Sequence, residues 1–129
     1  MQEYSRDLGD IMNSVNNKNE HVDVLVVGAG LSGIGSAYHL KTQLPDKSFC
    51  VLDGMESFGG TWLTHNYPGV RSDSDLFTFG YRFKPWTGAP IARGAEILNY
   101  MREVIDDNHL AQHIRYSHHV LGASWDSVN

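Results

Sequence analysis

Apolar and polar positions divide the first half of the chain into strand-like and helix-like segments. The run HVDVLVVG (residues 21–28) is β-branched and lacks a clean alternation, which predicts a strand buried on both faces. Residues 34–44 have apolar positions at helical spacing, and they predict a helix that ends at Pro45. Residues 48–53 predict a second buried strand. This order predicts a βαβ unit with a parallel sheet.

The rest of the chain shows three further patterns. Aromatic residues alternate with other residues in LFTFGYRFKPW (residues 76–86), which favours an extended segment. Residues 95–108 have their apolar positions on one helical face and predict a helix. Residues 114–125 alternate like a strand. Residues 1–20 show no sustained period and are predicted as a flexible lead-in, with a short helix near residues 8–15 as a weak candidate.

Composition argues against several classes of partner. The chain has 129 residues, 41% of them hydrophobic, which suits one domain with a substantial core. A net charge of −5 and the lack of a basic patch argue against nucleic acid. No apolar run is long enough to span a bilayer, and the polar start of the chain lacks the pattern of a secretory signal. A cytoplasmic location is therefore expected, while the oligomeric state stays open.

A glycine motif lies between the first predicted strand and the helix. Gly28, Gly30 and Gly33 form G-x-G-x-x-G. The first glycine permits a tight turn, the second lets a pyrophosphate approach the backbone, and the third lets helix and strand pack closely. The start of the helix offers unpaired amides and a partial positive charge, and Ser32 adds a hydroxyl. The motif predicts a site for the diphosphate of a dinucleotide.

An acid in the expected place supports this interpretation. Asp53 ends the second predicted strand, where a carboxylate can accept hydrogen bonds from the ribose hydroxyls of an adenosine. The same charge would repel a 2′-phosphate, so NADP is disfavoured at this site, while FAD and NAD remain. The alternative is a glycine-rich turn in an ordinary α/β protein, with Asp53 as a solvated acid.

The loop that follows carries further candidate chemistry. Gly60 would let the backbone come close to a flavin, Thr61 can donate a hydrogen bond, and Trp62 offers a flat face. The alternative is a turn whose tryptophan covers the core. Further along, Arg71 can pair with a phosphate, and Asp73 can orient a neighbouring cation. The alternative for these two residues is a surface charge cluster.

Together these motifs resemble a known family. GAGLSG, VLD, FGGTW and YPGVRSDSD, in this order and spacing, are similar to the N-terminal region of class B flavoprotein monooxygenases. These include Baeyer–Villiger monooxygenases and flavin-containing monooxygenases. The stretch YPGVRSDSDLFTFGYRFKPWTG most resembles the ethionamide-activating Baeyer–Villiger subgroup. The resemblance implies an α/β fold with a Rossmann-like FAD-binding core, in which residues 21–129 form the N-terminal part of the FAD-binding domain.

The resemblance also implies a role for each matched residue. Ser32 and Asp53 would contact the diphosphate and the adenosine ribose of FAD. Four residues would line the flavin side: Thr61, Trp62, Leu63 and Thr64. Three would face the point where the nicotinamide of NADPH meets the flavin: Arg71, Ser72 and Asp73. Asp73 matches the active-site aspartate that helps to position a catalytic arginine, and Val120, in the last strand, would hold the adenine edge through its backbone.

The family's reaction sets the expected function. NADPH reduces the flavin, and O2 then gives a flavin peroxide that inserts oxygen into a ketone or oxidises sulfur or nitrogen of a small organic substrate. Relatives usually have glutamate in place of Asp53, are several hundred residues long, and carry a second glycine motif for NADPH. The chain is therefore expected to be a partial sequence or a truncated product. On its own, it is expected to retain FAD weakly or not at all and not to oxidise NADPH.

Two other functions stay open at the level of sequence. One is part of another FAD-dependent oxidoreductase, of the disulfide-reductase type, although the Cys-x-x-x-x-Cys motif that would support it is absent. The other is an inactive nucleotide-binding module. The substrate, and the choice between carbonyl insertion and sulfur or nitrogen oxidation, also stay open.

Overall fold

The computed structural model describes residues 19–128, which form a parallel sheet with helices packed against it. The strands are β1 (Val24–Val27), β2 (Phe49–Leu52) and β3 (Ile114–Arg115). The helices are α1 (Leu31–Gln43), α2 (Thr61–Thr64), α3 (Leu76–Phe79) and α4 (Gly94–Asp107), and a 3-10 turn (Ala111–His113) precedes β3. The short helix considered near residues 8–15 lies outside the described residues. No helix within residues 19–128 is both long and apolar enough to cross a membrane.

The three strands are parallel and follow the order β1-β2-β3. Val26 of β1 lies opposite Val51 of β2, and Val51 in turn lies opposite Ile114 of β3. Helix α1 connects β1 to β2, which confirms the predicted βαβ unit and the Rossmann-like fold class. Because the strands are parallel, the turns that follow β1 and β2 meet at the same edge of the sheet.

The core is one cluster of buried side chains contributed by the sheet, α1 and α4. Helix α1 packs on β1 and β2, and α4 packs on α1 and α2. Helix α4 has the bounds that its apolar stripe predicts to within one residue at each end. The carboxylate of Glu96 accepts a hydrogen bond from the Arg93 amide (2.8 Å) and so closes its first turn. The largest fully buried side chains are those of Ile34, Val51, Leu76, Ile97, Met101, Val104 and Leu110.

The extended segment predicted over residues 76–86 is wrong at its start. Asp75 accepts a hydrogen bond from the Thr78 amide (2.9 Å) and caps the short helix α3. The alternating aromatic residues therefore do not share one strand face: Phe77 and Phe79 are exposed, while Phe83 stacks on Tyr38 of α1. A local cap thus outweighs the alternation.

The strand predicted over residues 114–125 is wrong beyond Arg115. Its partner β2 ends at Leu52, and Ser117 adopts a left-handed backbone with φ 55°. Two hydrogen bonds still carry the segment past the end of the sheet: the Ser117 amide donates to Met55 O (2.8 Å) and the His118 amide to Asp53 O (2.9 Å). Val120 is consequently half-buried in irregular chain and not in a strand.

The prediction that the first strand is buried on both faces is also wrong. Val24 and Val26 pack against the core, but Leu25 is 50% exposed and Val27 is 64% exposed. The reason is topological. Strand β1 lies at one end of the strand order, and no element within residues 19–128 covers the face that carries these two side chains.

Tyr81 ties the aromatic segment to the start of α1. Its phenol donates a hydrogen bond to Leu31 O, and its amide donates to the phenol oxygen of Tyr100 (2.8 Å). Burial and, after it, the neighbouring Tyr100 phenol raise the pKa of Tyr81 above its ordinary value of 10.0. The phenol that holds the glycine-motif helix therefore stays protonated in the folded chain at a pH where it would ionise in the unfolded chain.

Tyr81→Phe is expected to weaken the pH dependence of stability at alkaline pH. Above the ordinary pKa of 10.0 the unfolded chain releases this proton and the folded chain keeps it, so the free energy of unfolding of the wild type falls as pH rises. Urea unfolding at about pH 8 and about pH 11 measures this fall, which the variant should reduce. Tyr67→Phe, at a 57% exposed position, is the control. An equal reduction in both variants would contradict the assignment.

Candidate functional site

The turn after β1 is built on bare backbone. Gly28 has φ 104°, and its amide donates to Leu52 O (2.7 Å), which ties the turn to β2. A Cβ built on Gly33 would lie 1.8 Å from Gly28 O, so α1 can begin this close to the turn only with glycine there. The packing of helix and strand at this edge therefore depends on the sequence motif directly.

The two glycine loops touch each other. A Cβ built on Gly60 would lie 3.1 Å from Gly30 Cα, and the Gly59 amide donates to Ala29 O (3.0 Å). Gly60 itself has φ 53°, a left-handed conformation that glycine adopts at little cost, and it caps the short helix α2. The FGGTW loop therefore lies against the GAGLSG turn and extends its glycine surface.

The start of α1 has unused donors. Gly30 is the N-cap and makes no side-chain capping bond, so the first-turn amides lack the partner that a capping side chain would supply. A Cβ at Gly30 would find only Gly60 Cα within 4 Å, at 3.7 Å. Ser32 is exposed in the same turn. Free amides, a helix dipole and open space over glycine fit a diphosphate group.

Asp53 lies at the inner edge of this surface and is only 9% exposed. Its Oδ2 accepts a hydrogen bond from the Ala29 amide (2.7 Å), and its Oδ1 accepts one from the Met55 amide (2.8 Å). Burial, followed by the nearby charge of Asp53, raises the pKa of Tyr116. The carboxylate therefore joins the glycine turn to the end of β2.

The chain after β3 lies beside the end of β2. A Cβ at Gly54 would meet His119 Nδ1 at 2.9 Å, so the imidazole lies against glycine where another residue would displace it. Val120 follows directly and is half-buried, and its role at the adenine edge stays a prediction. This segment therefore borders the end of the sheet that carries Asp53.

A second group of predicted residues surrounds a small cavity. Its volume is about 110 Å³, and it brings Trp62 close to Ser72 and Asp73, which are distant in sequence. The Trp62 ring also lies near the start of α4, since a Cβ at Gly94 would be 3.8 Å from Trp62 Cε3. The lining residues are Leu31, Trp62, Ser72, Asp73, Ser74, Leu76, Phe79 and Ile97. The cavity adjoins the first turn of α1 through Leu31.

The Arg71–Asp73 loop is held by the segment before α4. The Ser72 amide donates to Ala92 O (2.8 Å), and the Ala92 amide donates to Ser72 Oγ (3.1 Å). Ser72 is 6% exposed, whereas Arg71 and Asp73 are exposed. Both exposed residues line an open cleft of about 600 Å³ together with Tyr67, Gly69, Ser72 and Ile91. A buried serine thus supports a loop that presents one positive and one negative side chain.

The remaining predicted residues lie on α2, and several contributors were missed. Thr61 and Thr64 are exposed, and Leu63 packs against Gly59, where a Cβ would meet Leu63 Cβ at 2.9 Å. Sequence reasoning overlooked Ala29, whose amide and carbonyl both hold the turn, and Leu31, which lines the cavity. Backbone groups leave no residue-type signal, so only the tertiary contacts reveal them.

The family model of NAD(P)-binding Rossmann-like domains matches residues 26–102. Among curated proteins, the chain is 53% identical over 110 residues to the FAD-containing monooxygenase EthA of Mycolicibacterium smegmatis. It is 51% identical over 110 residues to the probable FAD-binding monooxygenase AlmA of an Acinetobacter species. Each alignment covers 84% of this chain and 22% of the relative, so the chain spans less than a quarter of their length.

A solved structure gives the same result at lower identity. The complex of OTEMO with FAD and NADP superposes with a TM-score of 0.73 and 28% identity, over 85% of this chain and 22% of that one. The resemblance to flavoprotein monooxygenases inferred from the motifs is thereby confirmed.

Proposed function

Since the chain belongs to the family of NAD(P)-binding Rossmann-like domains, we propose that it binds FAD in an NADPH-dependent flavin monooxygenase. The relatives named as FAD-containing monooxygenases support FAD as the ligand. The solved complex with FAD and NADP supports the pair of cofactors. We propose the reaction, the substrate and the partners described below for a whole protein that contains this domain.

The contact between Gly30 and Gly60 carries the proposal. A Cβ on Gly60 would lie 3.1 Å from Gly30 Cα, so two loops expose backbone at one place beside the uncapped start of α1. A diphosphate fits there because the helix amides donate to its oxygens and no side chain excludes it. Ser32, exposed in that first turn, donates its hydroxyl.

The flavin half would extend from the diphosphate toward α2 and the small cavity. Trp62 lines that cavity and offers a flat face, with Thr61, Leu63 and Thr64 on the same short helix. Val120 would hold the adenine edge, since it comes two residues after His118, whose amide donates to Asp53 O at the end of β2. The two ends of an extended dinucleotide would thus contact separate surfaces of the chain.

The nicotinamide cofactor would enter at the Arg71–Asp73 loop. Arg71 and Asp73 line the open cleft, and Ser72 and Asp73 also line the cavity beside Trp62. Arg71 supplies positive charge for a phosphate or carboxamide oxygen, and Asp73 orients a neighbouring cation. When bound, FAD supplies the redox chemistry with NADPH and O2, and the protein supplies position and electrostatics. The substrate class is a small organic molecule that accepts one oxygen atom.

Competition binding on the purified chain tests this function. Flavin fluorescence should report saturable binding of FAD, weak because one domain holds it, and ADP should displace FAD because both use the diphosphate surface. FMN, which lacks the AMP half of FAD and so carries no diphosphate, should displace little. Ser32→Ala should raise the Kd for ADP about tenfold to 100-fold through loss of one hydrogen bond to a charged group.

Ser36→Ala is the matched control for that variant. Ser36 lies one turn further along α1, and its hydroxyl donates to Ser32 O (2.9 Å), away from the first-turn amides. Its Kd for ADP should equal that of the wild type. Absence of saturable FAD binding, or FAD that ADP cannot displace, would contradict the proposed function.

A further inference from the structure

We propose that the small cavity beside Trp62 is a binding site for molecular oxygen. The cavity has a volume of about 110 Å³ and adjoins the first turn of α1 through Leu31. This inference rests on the proposed function, because O2 is the gas that the proposed monooxygenase consumes. It assigns one co-substrate to a place that the chain itself supplies.

The size of the cavity suits a gas molecule better than a cofactor. Pockets that enclose cofactors and other small organic ligands have volumes of about 300 Å³ or more. A cavity of about 110 Å³ is therefore too small to enclose a flavin ring system. Apolar cavities of about 150 Å³ stay dry and bind benzene or xenon. O2 is smaller than either of these.

The deep side of the cavity is apolar. Leu76 is 2% exposed and Ile97 is 0% exposed, while Leu31 and Trp62 pack against the same core. Within residues 19–128, no buried side-chain nitrogen or oxygen lacks a hydrogen-bond partner, so no orphaned polar group calls for a bound water there. Water needs two or more polar partners, whereas apolar O2 gains free energy by leaving water for apolar surface.

The other side of the cavity faces solvent and carries polar residues. Asp73 is exposed, and Phe79 is 61% exposed, although both line the cavity. Ser72 lines it as well, but its Oγ already accepts a hydrogen bond from the Ala92 amide (3.1 Å). A gas molecule can therefore enter from solvent on this side and reach the apolar floor.

The cavity also adjoins the surface proposed for the cofactor. Leu31 directly follows Gly30, the N-cap of α1, where the diphosphate is proposed to lie. Trp62 belongs to α2, whose N-cap Gly60 lies against Gly30. O2 held between the Leu31 and Trp62 side chains would lie beside the flavin half of FAD, next to the group with which it reacts.

Xenon under pressure tests the site in the ligand-free chain, because it occupies apolar cavities and its binding shifts nearby NMR signals. Saturable shifts are expected for the methyl groups of Leu31, Leu76 and Ile97. They are not expected for Leu110, which is equally buried but does not line the cavity. Dissolved O2 is paramagnetic and should relax the same three sets of methyl groups faster than those of Leu110. No saturable xenon shift, or an equal effect of O2 at Leu110, would overturn the inference.

Filling the cavity should abolish the xenon shifts. Leu31→Phe adds volume to a half-buried wall and keeps the carbonyl that accepts the Tyr81 phenol. Leu40→Phe is the matched control, because it places the same substitution at another half-buried position of α1 that does not line the cavity. Ser74→Leu fills the cavity from a different wall and serves if Leu31→Phe does not fold. Unchanged xenon shifts in a folded filling variant would contradict the proposal.

A measurement with FAD separates this inference from the proposed function. Xenon should still bind at saturating FAD, whereas its displacement would show that the flavin fills the cavity and would overturn the inference. Magnetisation transfer from water to the methyl groups of Leu76 and Ile97 would overturn it too, because the cavity would then be hydrated. Failure of FAD to bind would contradict the proposed function alone, since the xenon measurements require no cofactor.

Discussion

Gly33→Ala is expected to lower the free energy of unfolding by about 4 kcal/mol, enough to unfold much of the population of a domain of this size. The added Cβ would lie 1.8 Å from Gly28 O and 2.9 Å from Gly28 C, far inside contact distance. Both atoms are backbone, so no side-chain rotation relieves the clash. Helix α1 would have to move away from the turn that follows β1, and the packing of α1 on β1 and β2 would loosen with it.

The matched control is Gly122→Ala. No atom lies within 4 Å of a Cβ at Gly122, so the same substitution should change the free energy of unfolding by no more than about 0.5 kcal/mol. Urea unfolding followed by far-ultraviolet circular dichroism measures both variants. Equal midpoints for Gly33→Ala and the wild type would show that the observed contact between helix and turn is wrong.

Gly30→Val is expected to raise the Kd values for FAD and ADP at least about 100-fold, while the chain stays folded. Gly30 has φ −81° and ψ −170°, an extended backbone that valine adopts without strain. Its Cβ would be 3.7 Å from Gly60 Cα, an ordinary contact, so the fold accommodates the Cβ of the new side chain. The added side chain would occupy the space over the first turn of α1, where the diphosphate is proposed to lie.

Binding and stability must be measured together for this variant. Flavin fluorescence and ADP calorimetry report binding, and urea unfolding should show a change within about 1 kcal/mol. Gly122→Val controls for the introduction of valine and should bind like the wild type. Undiminished nucleotide binding by Gly30→Val would place the ligand elsewhere, whereas a large loss of stability would mean that the contact with Gly60 is tighter than observed.

Local patterns predicted some elements well and others poorly. Helix α4 followed from its apolar stripe because one face of a continuous segment packs on the core. The aromatic alternation failed at α3 because Asp75 caps a helical turn at its start. The strand predicted over residues 114–125 ends early because a strand needs a hydrogen-bonded partner, and its partner β2 ends at Leu52. The prediction that β1 is buried on both faces failed because the identity of a side chain does not show whether another element covers the face on which it lies.

The candidate site divides in the same way. The spacing of Gly28, Gly30 and Gly33 indicated a phosphate-binding turn. The tight turn, the exposed backbone and the close packing of helix on strand each require a glycine, and all three lie within a few residues of chain. The aspartate at the end of β2 was also foreseen. Its bond to Ala29 was not, because that bond joins residues 24 positions apart whose approach depends on the register of β1 and β2.

By itself, the sequence determined the βαβ core, the glycine turn and the kinship with flavoprotein monooxygenases, since these are encoded in short runs with characteristic spacing. The tertiary structure alone decided that Gly60 lies against Gly30, that Trp62 shares a cavity with Asp73, and that the carboxylate at position 53 is held by backbone amides. Such contacts depend on how separate elements pack, and no local pattern of residue types records that packing.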